Sequence, residues 1–132
     1  MKTKDITQDE FFKATPQEVY DALMDSKKHA EFTGASAKID NKVGGNFTAW
    51  DGYIKGENLE LVPGKKIVQS WNADEDGWPA DHYSKVTYEL SPAPGGTNLH
   101  FTHTGLPEDN ADDKVGGWID HYWKPMKKTF GW

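Results

Sequence analysis

The side chains able to do chemistry are few, and their spacing is restrictive. His100 and His103 form the nearest approach to a metal pair. Three residues apart on an extended strand, they point to opposite faces and cannot chelate one ion together. No H-E-x-x-H run is present, and the chain has no cysteine, so thiol chemistry, disulfides and cysteine-ligated metals are excluded. His103, read as inward-facing and close to His121, is either a hydrogen-bonded core residue or a polar group that orients a ligand in an apolar pocket. His29 and His82 read as surface residues. Ser26, Ser36, Ser70, Ser84 and Ser91 sit in no G-x-S-x-G elbow, so a serine triad has no support. The glycine pairs beginning at 44, 95 and 116 lack nucleotide-binding spacing, and no cofactor is expected. The first two pairs fit turns. Gly116-Gly117 lies where a helix is expected, for close packing of the sheet or approach of a ligand, with packing the favoured reason. Among the carboxylates on strand-like runs, Glu57, Glu60 and Glu89, Glu57 is the first candidate for an acid or base, against the simpler reading of a solvated strand face.

Aromatic side chains give the stronger signal: six Trp, five Tyr and six Phe in 132 residues. Most are expected in the core, yet together they exceed what a core of this size readily packs. Phe47, Trp71, Tyr88, Phe101, His103, Trp118, Tyr122 and Met126 are therefore candidate walls of a cavity for a small hydrophobic ligand. Trp78, beside Pro79 in a loop with Asp74, Glu75 and Asp76, is a candidate exposed anchor for a protein partner.

These residues need elements to position them. Val115, Trp118 or Ile119, Tyr122, Met126 and Phe130 recur at three- and four-residue intervals, which predicts an amphipathic helix over 115–130, with Gly131 as its stop. The acidic stretch Glu108, Asp109, Asp112 and Asp113 precedes it in a segment, 106–113, that reads as a mobile loop. Pro125 crowds the carbonyl of His121 and predicts a kink. Upstream, a first strand within 2–13 leads to Thr15-Pro16-Gln17-Glu18, a capping box opening a helix over 16–24, and a second short helix capped by Ser26 ends at Gly34. From Ala35 the period becomes two. Strand-length runs at 35–40, 46–50, 53–62, 66–72, 82–91 and 97–104 are separated by Gly and Pro punctuation. This predicts an antiparallel meander, with Asp51-Gly52 as a tight type I′ hairpin and 74–81 as a second mobile loop. Alternation puts Leu99, Phe101 and His103 on one face, and Ser84, Val86, Tyr88 and Leu90 together on the neighbouring strand. The apolar face needs a cover, and only the C-terminal helix is long enough.

Length and composition fit one domain, 1–132, with no linker or repeat. A net charge of −6 and scattered lysines argue against nucleic acid and anionic membranes as partners. No signal-peptide or membrane-spanning run is visible, so a cytoplasmic location is expected.

The order strand, two short helices, six-stranded meander and long helix resembles the helix-grip architecture of the START-like, or SRPBCC, superfamily, an α+β class. Phe32-Thr33, Gly44-Gly45-Asn46-Phe47, Gly56-Glu57, Leu61-Val62-Pro63, Trp71, Trp78-Pro79, Gly117-Trp118, Tyr122-Trp123 and Lys128-Thr129-Phe130-Gly131 narrow the likeness. Taken in order, they resemble the C-terminal domain of the activator of the heat-shock protein 90 ATPase, the AHSA family. The resemblance implies a curved sheet of about seven strands closing on the long helix. It also implies a non-enzymatic binding role, toward a heat-shock protein 90-type chaperone or a small hydrophobic ligand, without the family's separate N-terminal domain. The alternative is a cyclase or hydrolase of the wider superfamily using a cavity His or Glu.

Overall fold

The computed structural model describes all 132 residues. Strand β1 (Thr3–Phe12) is followed by α1 (Pro16–Met24) and α2 (Ser26–Thr33). Six further strands follow: β2 (Lys38–Ile39), β3 (Asn46–Ala49), β4 (Ile54–Val62), β5 (Lys66–Ala73), β6 (Ser84–Ala93) and β7 (Gly96–Pro107). All pair antiparallel in one sheet of order β1-β7-β6-β5-β4-β3-β2. The chain closes with α3 (Glu108–Trp118), a widened π turn (Ile119–Trp123) and α4 (Lys124–Phe130). The expected α+β helix-grip architecture is the one observed.

Local chemistry explains these elements. Thr15 Oγ1 accepts the Glu18 N–H at 3.1 Å while Glu18 accepts the Thr15 N–H at 3.0 Å, a reciprocal capping box with Pro16 at the first helical position. Helix α2 is capped by Asp25, whose carboxylate accepts the Lys28 N–H at 2.9 Å, and not by Ser26. Ser26 Oγ instead accepts the Ile39 N–H at 2.8 Å and pins β2. Only two residues of the strand expected over 35–40 pair, and fully buried Asn58 holds the following loop. Its amide donates to the carbonyls of Asp40 (2.7 Å) and Lys42 (3.1 Å), and its oxygen accepts from Gln69 at 3.0 Å.

The β3–β4 hairpin exists, but its turn is wider than a two-residue type I′ connection. Trp50 (φ 54°), Asp51 (φ 58°) and Gly52 (φ 91°) are all left-handed, and Tyr53 N–H returns to the Trp50 carbonyl at 3.1 Å. Positive φ costs a non-glycine residue about 1–3 kcal/mol. The Asp51 carboxylate, accepting the Ser36 N–H at 2.7 Å, and the Asp51 N–H, donating to the Ser36 carbonyl at 3.1 Å, hold the turn in place. Trp50 thereby leaves the strand and is aimed toward the C-terminal helix.

The C-terminal segment departs most from expectation. The acidic residues lie inside α3 as its first turns, where the helix dipole favours them, and 106–113 is no loop. The discontinuity expected at Pro125 appears one turn earlier, as the π turn whose last bond runs from the Lys124 N–H to the Ile119 carbonyl. The extra residue rotates the buried stripe. Trp118, Tyr122, Trp123 and Met126 are buried and Phe130 half-buried, whereas Val115, expected inward, is 42 % exposed. The stripe lies across the sheet. Trp118 meets Phe101 at 4.4 Å between ring centroids, Trp71 at 5.6 Å and Tyr88 at 6.2 Å, on three different strands.

Candidate functional site

Beneath the middle of the helix the interior is closely packed. Leu99, Phe101 and His103 are buried together, as are Ser84, Val86, Tyr88 and Leu90, in the faces that alternation assigns. A small void among Leu23, His29, Phe47, Ile67, Tyr88 and Tyr122 measures about 10 Å³. A water molecule is the most it admits. Phe101, His103 and Met126, expected as cavity walls, are fully buried core residues.

His103 is bonded through both ring nitrogens. Trp118 Nε1–H donates to Nδ1 at 3.1 Å, which makes Nε2 the protonated nitrogen, donating to Ser84 Oγ at 2.7 Å. Ser84 passes its proton to the Trp71 carbonyl at 3.0 Å. The chain ties helix to sheet through a dry interior. Burial first, and Lys114 second, hold the imidazole neutral, with its pKa brought down to about 3. His121 is exposed and meets Trp50 at 5.4 Å.

His29, expected on the surface, is 6 % exposed. Its Nδ1–H donates to the Leu23 carbonyl at 3.1 Å and its Nε2 accepts from the Tyr122 hydroxyl at 3.1 Å, locking α2 to the π turn. Desolvation lowers its pKa to about 4. Sequence reading missed it because lysines and a glutamate flank it, while the helical period places it beside Phe32, 4.9 Å away. His82 is half-buried, with Nε2 at 2.7 Å from the Gly105 carbonyl.

Trp78 is not an exposed anchor. It is 6 % exposed, packs on Trp71 at 5.5 Å and donates its indole N–H to the His82 carbonyl at 2.9 Å. The loop around it is fastened to α3 by Asn110, which donates to Glu75 (3.1 Å) and to the Asp76 carbonyl (2.9 Å). Glu57 is exposed, as the solvated-face reading requires, and Gly56 before it is needed because a Cβ there would collide with the Ser70 carbonyl.

An open cleft of about 370 Å³, lined largely by aromatic side chains, lies at one end of the helix–sheet interface. Its floor is Ile54, Trp71, Trp118 and Tyr122, all buried; its rim is Trp50, Tyr53, Asp113, Lys114, Gly117 and His121. Four of the expected cavity residues thus divide: Trp71, Trp118 and Tyr122 reach this cleft, while Tyr88 does not. Phe47, on the small void, also borders a polar depression of about 560 Å³ on the sheet's outer side with Glu57 and Tyr83. Lys114 is pinned between Glu75 Oε1 (2.5 Å) and Asp113 Oδ2 (3.2 Å), its side chain 10 % exposed. Burial first, and then the carboxylates of Glu75, Asp113 and Asp74, push the Tyr53 hydroxyl up to about 12.

Gly116 and Gly117 complete the picture. Each glycine inside a helix costs about 1 kcal/mol relative to alanine. A Cβ at either position would meet nothing within 4 Å, so packing, the favoured reason at the level of sequence, does not require them. Gly117 lines the cleft; nothing in the structure explains Gly116.

Comparison with known proteins places this geometry. The family described as activator of Hsp90 ATPase homolog 1-like protein matches residues 13–131. The chain belongs to the AHSA1 family. It is 32 % identical over 127 residues to the human activator of 90 kDa heat shock protein ATPase homolog 1, covering 96 % of this chain and 37 % of that protein. Against the Dictyostelium discoideum activator homologue, identity is 31 % over 130 residues, 98 % of this chain and 34 % of the relative. The chain spans about a third of these relatives' length. A solved HSP90 activator from Plasmodium falciparum superposes with TM-score 0.87 at 27 % identity, covering 96 % of both chains. No helix is long and apolar enough to cross a membrane.

Proposed function

We propose that this AHSA1 domain is a protein-interaction module that binds a heat-shock protein 90-type chaperone and raises its ATP turnover, with the aromatic cleft at the contact. The observation that carries this reading is that the aromatic space of the helix–sheet interface is an open cleft at the surface and not an enclosed cavity. The enclosed void under the helix, about 10 Å³, is far below the roughly 300–1,000 Å³ of small-molecule sites, and only the open cleft of about 370 Å³ reaches that range. A hydrophobic molecule fully enclosed beneath the helix has no room, and a small ligand seated in the open cleft is the second reading. The aromatic surface that remains accessible faces outward, and tryptophan and tyrosine in a partly desolvated depression are the side chains that anchor protein interfaces. The likeness to the Plasmodium activator along 96 % of both chains supports a chaperone as the partner.

A cyclase or hydrolase reading finds less support. His103 has both nitrogens engaged, and Glu57 lies on the exposed face away from the aromatic cleft. Titrating a purified heat-shock protein 90-type chaperone with this protein while following ATP hydrolysis tests the proposal. A saturable rise is expected; an unchanged rate at large excess, with no chemical-shift change in either protein, would overturn it.

A further inference from the structure

The open cleft has a chemistry more specific than aromatic. Trp50 and Tyr53 form its lip and Trp118 its floor. Trp50 is held there by a strained left-handed turn that the neighbouring backbone over-determines. The only ammonium at the cleft, Lys114, is already shared by Glu75 and Asp113, which leaves that cluster with a surplus negative charge. Asp74 adds to it from the adjoining loop. Ring faces beside uncompensated carboxylates attract a flat, weakly hydrated cation, and guanidinium satisfies both at once by stacking on indole while donating to carboxylate. Gly117 opens the helix wall just where such a group would lie, at a cost in helix stability that no internal contact repays. We propose that the cleft receives an arginine side chain presented by the bound chaperone, stacked against Trp50 and paired with Asp113. This rests on the chaperone-binding reading and specifies its contact.

The test uses the intact protein, a purified chaperone and two small probes, N-acetyl-arginine amide and its uncharged isostere N-acetyl-citrulline amide. The arginine probe should shift the indole N–H resonance of Trp50 saturably, and the citrulline probe should not. Gly117→Leu puts a side chain into the opening at a position where a Cβ meets nothing within 4 Å, and Asp113→Asn removes the charge partner; each should weaken chaperone binding by about tenfold, with thermal unfolding confirming that both variants fold. Wild-type binding with undiminished binding by both folded variants would overturn the arginine contact and leave the chaperone reading intact, as would equal shifts from the two probes. Absence of wild-type binding would instead bring down the chaperone reading, and this inference with it.

Discussion

Two buried histidines make the stability of this domain sharply dependent on mild acid. His29 and His103 are neutral in the folded protein, with pKa values lowered to about 4 and about 3, against about 6.5 in an unfolded chain. Below about pH 6.5 the unfolded chain therefore binds a proton at each site that the folded chain refuses, and stability falls as pH falls. The contribution is fully present above the unfolded value and is lost progressively down to the folded values. Each site costs about 1.4 kcal/mol per pH unit in that window. From about pH 7 to about pH 5 the loss is about 2 kcal/mol per histidine, about 4 kcal/mol for the pair, against a typical total of about 5–15 kcal/mol. Urea unfolding followed by tryptophan fluorescence at several pH values across this window measures it. His29→Gln and His103→Gln, each removing one titrating group, should roughly halve the slope. A stability that stays flat from about pH 7 to about pH 5, or a slope that neither variant alters, would refute the reasoning that both imidazoles are held neutral by burial.

Three further outcomes follow from the packing. Trp118→Ala removes the indole that spans three strands and strands His103 Nδ1 without a donor, so denaturant unfolding should show a loss of about 3–5 kcal/mol. Lys114→Met leaves the Glu75 carboxylate largely buried and unpaired and should cost about 3 kcal/mol in the same measurement, more than any exposed ion pair of this protein such as Lys4–Asp112. Gly117→Ala should raise thermal stability by about 1 kcal/mol, because a methyl group there meets no neighbour.

Much of the architecture was legible because its signals are local. The Thr15–Glu18 capping box, the glycine at Gly34, and the period-two faces of β6 and β7 depend on neighbouring residues and hold in the structure. Where expectation failed, a distant group decided. The helix begins at Glu108 and not near Val115, since Asn110 and Lys114 bond back to the loop carrying Glu75 and Asp76. The π turn, placed one turn ahead of Pro125, then shifts the buried stripe so that both Trp118 and Trp123 face inward. Trp78 reads as exposed from its acidic neighbours, yet Trp71 and the His82 carbonyl draw it inside. The cleft was the least legible feature. It needs the left-handed turn at Trp50, which no two-residue hairpin rule anticipates, to meet Gly117 and His121 on a helix nearly seventy residues later.

The central claim is that the aromatic cleft is the surface through which this AHSA1 domain engages its chaperone. The most direct measurement is a chemical-shift map of the isotope-labelled domain titrated with a purified heat-shock protein 90-type chaperone. Perturbations should concentrate on Trp50, Tyr53 and the segment 113–121, with the Trp50 indole among the first to respond. A saturable interaction whose perturbations fall on the outer sheet face around Glu57 and Tyr83, leaving the Trp50 and Trp118 indoles unmoved, would contradict it.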